Sequence, residues 1–404
     1  MPTLLRRNRG FSIFLMTQVV SNLGDAVSGV VVPLLVLQLT RSPALVAAVA
    51  LLETIPRLLL QLPFGALLDR WDRRRTMLLA DVARCALTLL VPVAAAAHGP
   101  LLRVLFAVAV PLSVAGCLFG AGFGAITPSL AGREQPAAAY ALVEGGESLA
   151  WVGGPILAGL LVVTIGGANA LAVDAVSFLV SAVGLGLIRG PARRAAGSER
   201  PSLLQELREG LRFLLGHELL RRVQLSWTLY TAIGCGGIVA GLVYVGSGGG
   251  AGGPALVSLS VAAYAAGSAL CTVAAGWRRP ATPWLGIGGC LTVLAVGAAL
   301  IATGPASAVL CGALLFGLGE GFFLVVYLTV RAETTPDELM GRISGAAGLL
   351  SQIAAGVGVA WIGLALQWLG GSGAFGLLAA LALLLAAWTA ATRQQPVVNS
   401  ERLR

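Results

Sequence analysis

Apolar runs long enough to cross a membrane fill most of this chain, separated only by short polar or Gly/Pro-rich breaks. A helix that spans the hydrocarbon layer needs about 20 mostly apolar residues. The sequence therefore predicts an all-α integral membrane protein of about twelve transmembrane helices. The windows that meet the length requirement are 11–37, 43–68, 76–97, 101–127, 138–164, 168–188, 220–246, 254–276, 284–303, 306–331, 343–367 and 374–392.

The charge composition excludes several classes of function. Charged residues make up 11% of the chain, against about 25% in soluble domains. All 27 basic residues are arginine, so there is no lysine for a Walker A loop, a retinal Schiff base or a pyridoxal site. The arginines lack the interleaved aromatic residues of a nucleic-acid binder, and we expect no such partner. No nucleophile elbow or HExxH helix is present, so we expect no enzyme activity, no cofactor and no metal.

The placement of arginine predicts the orientation, because cytoplasmic loops are enriched in positive charge. The opposite set of gaps contains almost no arginine, namely Arg41 and Arg103. We therefore expect a multi-pass protein of the inner (cytoplasmic) membrane with both termini in the cytoplasm. The arginine clusters occupy alternate gaps between predicted helices, at 70–75, 133, 189–222, 278–279, 331–342 and 393–404.

The longest polar segment divides the predicted helices into six and six. Its second part has leucines at helical spacing between Arg and Glu, which predicts an amphipathic helix on the inner membrane surface that tethers two bundles. We expect an N-terminal six-helix bundle at 1–188, a cytoplasmic linker with the amphipathic helix at 189–217, and a C-terminal six-helix bundle at 218–404.

The loop after the second predicted span reads GALLDRWDRRR at positions 65–75. It resembles the signature loop of the major facilitator superfamily, in which a glycine precedes an Asp-Arg pair and a basic cluster. The resemblance implies two six-helix bundles around a central cavity. It also implies a cytoplasmic gate formed by Gly65, Asp69, Arg70, Arg73 and Arg74. The alternative is a cluster of positive charge that only sets topology.

The chain departs from the superfamily pattern at two positions. Asp72 stands where the superfamily usually has glycine, although aspartate tolerates left-handed backbone better than most residues. The usual arginine motif of the fourth span has no clear match, since Arg103 lies at the outer end of that span. The proton-relay assignment usual for the superfamily is therefore not transferred to this chain.

The fifth predicted span contains AWVGGPILAG at positions 150–159. This stretch resembles the Gly-Pro motif of the antiporter branch of the superfamily, with Gly154, Pro155 and Gly159 at the matching positions. Small residues at this spacing also occur in ordinary close helix packing, which is the alternative. Stretches 18–25, 174–178 and 340–342 are similar to bacterial macrolide, multidrug and siderophore exporters.

Charged side chains inside the predicted spans are candidate functional residues, because each costs roughly 2.5–3.5 kcal/mol on insertion scales. Glu53 and Arg57 lie four residues apart on the second span. Asp81 and Arg84 lie three apart on the third, and both pairs have the spacing of an internal ion pair.

The remaining embedded carboxylates are candidates for proton coupling, because a carboxyl group held out of water can bind and release a proton near neutral pH. Asp25 and Glu320 have no cationic neighbour on their own helices. The alternative is a structural role, for example Asp25 paired with Arg57 across helices. We predict proton coupling through Asp25 as the first candidate, and rank Glu53 and Glu320 after it. We predict a substrate cavity that includes Asn22, Asp25, Arg57, Asp174 and Glu320.

Together these features predict a secondary active transporter that works by alternating access. We expect a monomer that exports a small amphipathic organic solute, such as a drug, a natural product or a siderophore, by proton antiport. Its partners are the solute, protons and membrane lipid. Proton-coupled uptake, lysolipid transport and a non-transporting membrane scaffold remain the alternatives.

Overall fold

The chain is described by a computed structural model. The structure describes residues 8–68, 72–131, 136–188, 203–233, 237–247, 253–275, 283–336 and 339–391. The described residues form the helices α1 (Arg9–Thr40), α2 (Pro43–Leu68), α3 (Arg73–Ala96), α4 (Leu101–Ala131), α5 (Pro136–Ile165), α6 (Gly167–Leu187), α7 (Leu203–Gly216), α8 (Glu218–Ile233), α9 (Ile238–Ser247), α10 (Gly253–Ala275), α11 (Pro283–Thr303), α12 (Ala306–Thr334) and α13 (Met340–Ala391).

Eleven segments of the described chain are long and apolar enough to cross a membrane. The seventh combines α8 and α9, and the last covers the 50 residues of Arg342–Ala391. A helix of that length is about 75 Å long, more than twice the hydrocarbon thickness of about 30 Å. Gly370, at φ 66° and ψ −177°, interrupts it in the middle. Its two arms therefore make separate crossings, and the prediction of an all-α protein with about twelve crossings is confirmed.

Asp72 caps a helix and does not form the left-handed turn that its position in the loop predicts. Its backbone is extended (φ −70°, ψ 105°), and its side chain accepts a hydrogen bond from the backbone N–H of Arg75 at 3.1 Å. It is therefore the N-cap of α3, and the left-handed turn expected from the superfamily's glycine is not formed there. The carboxylate also offsets the positive charge at the start of this helix.

The transmembrane helices pack in two groups. In the first group, α1 packs on α5 and α6, α3 packs on α4 and α6, and α2 packs on α4. In the second group, α12 packs on α10 and α11, and α13 packs on α8 and α11. The two groups meet mainly through α5 against α10 and α2 against α13.

The amphipathic segment forms the helix α7, which docks on the beginning of α13. Leu214 is fully buried against Ile343 and Ala347. Glu209 accepts a hydrogen bond from Arg342 at 2.5 Å. An added Cβ at Gly210 would overlap the backbone carbonyl of Arg342, so only glycine allows the two helices to lie this close.

Glycines also set the spacing between α10 and α12. A Cβ at Gly317 would overlap the carbonyl oxygen of Tyr264, and one at Gly321 would overlap the carbonyl oxygen of Ser268. Backbone atoms cannot yield as a flexible side chain can, so the helices would have to move apart.

We expect Gly317→Ala to lower the stability of the protein by about 1–3 kcal/mol, the usual cost of overpacking. The matched control is Gly289→Ala on α11, where an added Cβ meets nothing within 4 Å. Thermal unfolding of the detergent-solubilised protein should show a lower midpoint for the first variant only. Equal midpoints for the two variants would contradict the proposed glycine contact.

Candidate functional site

A cavity of about 710 Å³ lies between the two groups of helices. Its polar lining comes almost wholly from α1–α6, whereas α9 and α13, from the second half of the chain, contribute Val239, Ala240, Gln352 and Val359. The polar and charged residues supplied by the first group are Gln18, Ser21, Asn22, Asp25, Ser28, Glu53, Arg57, Arg84, Thr88, Ser113, Glu147 and Asp174. The cavity therefore has one charged wall and one largely apolar wall.

Arg84 on α3 is the centre of an ion cluster at this charged wall. Its NH2 group donates to Asp25 Oδ1 on α1 at 2.6 Å, and its NH1 group donates to Asp81 Oδ1 at 3.3 Å. The Asp81 side chain is fully buried, whereas 38% of the Asp25 side chain is exposed. Asp25 is thus the member of this trio that the cavity reaches most freely.

Aromatic rings hold the guanidinium in place. The Arg84 Cζ lies 3.8 Å from the ring centroid of Phe178 on α6 and 5.6 Å from that of Phe119 on α4. The cation interacts favourably with the faces of these rings, and the interaction strengthens when water is excluded. Four helices therefore converge on Arg84, which ties α1, α4 and α6 to α3.

Asp174 on α6 lies next to this cluster and is held by hydroxyl groups. It is 3% exposed, and it accepts hydrogen bonds from Ser28 at 2.5 Å and from Ser177 at 3.2 Å. Gly24 makes this arrangement possible, because a Cβ there would overlap both Asp174 and Ser177. The close approach of α1 to α6 brings Asp174 beside Asp25.

Glu53 and Arg57 line the cavity from α2. In the described part of the chain neither residue forms an ion pair within 4.0 Å, and the partner of Asp25 is Arg84, not Arg57. The alternative of an Asp25–Arg57 pair is therefore not what the structure shows. Arg57 remains an exposed cation at the cavity wall.

Glu320 is placed away from the other predicted site residues. It lies on α12 in the second group, and it is not among the side chains that line the cavity. The hydroxyl of Tyr264 on α10 donates a hydrogen bond to its Oε2. The structure thus brings together Asn22, Asp25, Glu53, Arg57 and Asp174 but not Glu320.

Part of the predicted cytoplasmic gate can be located. Gly65 lies in the last turn of α2, while Asp69 and Arg70 lie outside the described residues. Arg74 donates hydrogen bonds from its Nε to the Leu185 carbonyl at 2.5 Å and from its NH2 to the Gly186 carbonyl. Arg73 is the first residue of α3. Arg74 thus interacts with the carbonyl end of α6, where a cation is favoured.

The Gly-Pro stretch of α5 packs this helix against both groups. A Cβ at Gly154 would overlap Ala26 on α1, and a Cβ at Gly159 would overlap Ser258 on α10. Pro155 lies between them, inside the helix. The stretch therefore combines close packing within the first group with close packing across the boundary between the groups.

The two groups are in contact near one end of the bundle. Ser42, between α1 and α2, donates to Gln367 on α13 at 3.3 Å, and a Cβ at Gly363 on α13 would overlap Ala47 on α2. From there the cavity extends along α4 towards the other end, as far as Phe123. At the Ser42 end the two groups therefore touch through α2 and α13, beside a second cavity of about 670 Å³ that includes Gln38, Arg41 and Tyr244.

Sequence reasoning missed the central role of Arg84, because the spacing of Asp81 and Arg84 predicted a self-contained pair. The available signal was a count of charges. The first six predicted spans contain more carboxylates than arginines, so we should have expected one arginine to pair with more than one carboxylate.

Comparison with known proteins identifies relatives over most of the chain. The family model described as Major Facilitator Superfamily matches residues 14–359. The multidrug efflux pump Tap of Mycolicibacterium fortuitum is 27% identical over 390 residues, which cover 86% of this chain and 87% of that protein. An uncharacterized MFS-type transporter of Bacillus subtilis, YfiS, is 29% identical over 390 residues, with 92% and 90% covered.

Two further matches differ in extent and in identity. For the Tap protein of Mycobacterium tuberculosis the match is 28% identical over 237 residues and spans 56% of each chain, about half the length of that relative. The crystal structure of the nucleoside transporter NupG superposes with a TM-score of 0.72 at 13% identity, covering 95% of this chain and 99% of NupG. At that identity the likeness concerns the fold alone.

Proposed function

This chain belongs to the major facilitator superfamily, and we propose that it exports a small amphipathic organic solute in exchange for protons. It is a multi-pass membrane transporter and not an enzyme. The observation that carries the proposal is the partly exposed carboxylate of Asp25, which faces the cavity while it is paired with the buried Arg84. A carboxylate there can accept a proton from water in the cavity.

The arrangement of charges supports a coupled cycle. Asp25 takes up a proton when the cavity opens to the outside, the two bundles rock, and the proton leaves on the cytoplasmic side while the solute moves outwards. The alternation of arginine clusters supports an orientation with the Ser42 end of the cavity outside and both termini inside. We accordingly propose the inner membrane as the location and a monomer as the transporting unit.

The two walls of the cavity favour a solute with a polar end and an apolar body. Carboxylates outnumber guanidinium groups on the first-group wall, which can bind a polar or charged end. Val239, Ala240 and Val359 offer apolar contact on the opposite wall. Two relatives are named multidrug efflux pumps, which is in line with export of drug-like compounds.

The test is a growth-protection screen against a panel of toxic cationic, neutral and anionic compounds, in a bacterial host that lacks its own major exporters. Expression of the wild-type chain should raise the tolerated concentration of at least one amphipathic compound, and collapse of the proton gradient should remove the protection. An increased sensitivity would indicate uptake. No effect on any compound, with no flux in vesicles, would favour a membrane scaffold.

A further inference from the structure

The ion cluster contains a carboxylate oxygen that no charged donor occupies. Asp81 Oδ1 is bound by Arg84, whereas the buried Asp81 Oδ2 has no donor within 3.5 Å among the described residues. The hydroxyl of Ser181, which accepts from Gln18 at 2.9 Å, interacts with the Asp81 carboxylate as a weak, neutral donor. A buried carboxylate oxygen without a strong donor is costly, and its position therefore needs an explanation.

Arg84 divides its two terminal nitrogens between two carboxylates. One lies on α1 and faces the cavity, and the other lies one turn back on α3 and is sealed from it. The bond to Asp25 is short, at 2.6 Å, whereas the bond to Asp81 is long, at 3.3 Å. Arginine and carboxylate normally pair best when both nitrogens meet both oxygens of one partner.

From this geometry we propose that Arg84 is a two-position switch and that Asp81 is its reserve partner. The inference rests on the proposed proton coupling at Asp25. When a proton from the cavity binds to the Asp25 carboxylate, an O–H bond forms and the negative charge on that group is lost. The Arg84 NH2 group then leaves Asp25 for Asp81 Oδ2, which no charged donor occupies, and Arg84 and Asp81 form a bidentate pair within α3.

The switch solves an electrostatic problem. A guanidinium stays charged in proteins, and a buried one cannot be left without a carboxylate. Asp81 keeps Arg84 compensated in both states, so Asp25 can be protonated without leaving a bare cation. The same movement breaks the link from α1 to α3 while the aromatic clamp of Phe178 continues to hold the guanidinium. Protonation is thus converted into the release of one helix.

Other ionisable groups surround Asp25 and contribute to the electrostatic potential at its carboxylate. Two of the neighbouring carboxylates, Glu53 and Asp174, interact with it electrostatically. The thiols Cys85 and Cys117 lie on the helices that surround the cluster. Among the described residues, the charged groups that line the cavity or contact Arg84 from the elements around α1 are Glu53, Arg57, Asp81, Arg84, Glu147 and Asp174.

Infrared titration of the purified full chain in lipid vesicles tests the proposal without any solute. The carboxyl C=O band that is lost in Asp25→Asn reports the protonation of Asp25. Asp81→Asn should lower the proton affinity of Asp25 at least about tenfold, equal to one pH unit, because the protonated state then leaves Arg84 without a carboxylate partner. Asp81→Glu should restore the wild-type midpoint to within about threefold, since it returns the carboxylate.

Thr88→Val is the matched control for these variants. Thr88 lies on the same helix and lines the same cavity, and its buried hydroxyl makes no hydrogen bond among the described residues. The change removes a polar group without removing a charge, so the Asp25 midpoint should stay where it is in the wild type. A midpoint in Asp81→Asn equal to that of Thr88→Val, or an Asp25 band that never titrates, would overturn the switch.

A structure of the Asp25→Asn variant separates the switch from a simple charge effect. Asparagine imitates the protonated acid, so both terminal nitrogens of Arg84 should lie within hydrogen-bond distance of the two Asp81 oxygens. Arg84 still divided between residues 25 and 81, with Asp81 Oδ2 unbound, would refute the switch even if the titration had shifted. A chain that switches in this way but moves no solute refutes the proposed export and leaves this inference standing.

Discussion

Replacing Asp25 with asparagine is expected to reduce the proton-driven uptake of a compound identified in the growth screen into inverted membrane vesicles to the leak rate of vesicles without the protein. The amide keeps the shape of the side chain but cannot carry a proton through the cycle. The fold should survive, because Arg84 retains Asp81 as a partner. The loss of one charge-assisted hydrogen bond costs about 1.5–3 kcal/mol, less than the stability of most proteins.

Asp72→Asn is the matched control for that measurement. Asp72 is an aspartate outside the cavity that caps α3, and asparagine caps helices equally well. Its vesicles should retain the wild-type rate of coupled uptake of the same compound. An unchanged rate in Asp25→Asn, at equal protein levels, would remove Asp25 from the coupling mechanism.

Removing Arg84 is expected to have the largest effect on stability. Arg84→Met keeps the length of the side chain but leaves Asp25, Asp81 and Asp174 without their shared cation. Removing one partner of a buried ion pair usually costs about 3–5 kcal/mol, because the remaining charge is buried and uncompensated. The thermal unfolding midpoint and the fraction of folded protein after detergent extraction measure the effect.

Two further variants make the result interpretable. Arg75→Met removes an arginine whose side chain is 85% exposed and whose ion pair with Asp72 is at the surface, so it should cost no more than about 1 kcal/mol. The double variant Arg84→Met with Asp81→Asn should be more stable than Arg84→Met alone, because it removes one uncompensated charge. Equal stability of Arg84→Met and Arg75→Met would show that Arg84 does not hold the cluster together.

The fold follows from the sequence to a large extent because the bilayer fixes the length of each helix. Apolar windows of the required length predicted the crossings, and the resemblance of the loop at 65–75 to the superfamily is confirmed by the family match over residues 14–359. The sequence did not predict that the last two crossings follow each other within α13. They are separated by a single backbone break at Gly370 and not by a loop. The docking of α7 on α13 likewise depends on a close backbone contact at Gly210.

The site was predictable only as a set of candidate residues. The energetic cost of charge in lipid identified Asp25, Glu53 and Asp174, which the structure places at one cavity wall. Their partners depend on which faces of separate helices meet, and helical spacing within one span carries no information on that. Spacing therefore assigned Arg84 to Asp81, whereas its shorter bond is to Asp25. The same limitation applies to Glu320, which packs with Tyr264.

The most direct test of proton-coupled export is to count protons and solute together. The purified protein is placed in proteoliposomes that contain a pH-sensitive dye, and a gradient of a compound identified in the growth screen is applied without a pH gradient. Under antiport, solute flow in one direction should drive protons in the other, and Asp25→Asn should abolish the proton movement. Solute flow without proton movement, or with protons moving in the same direction, would contradict it.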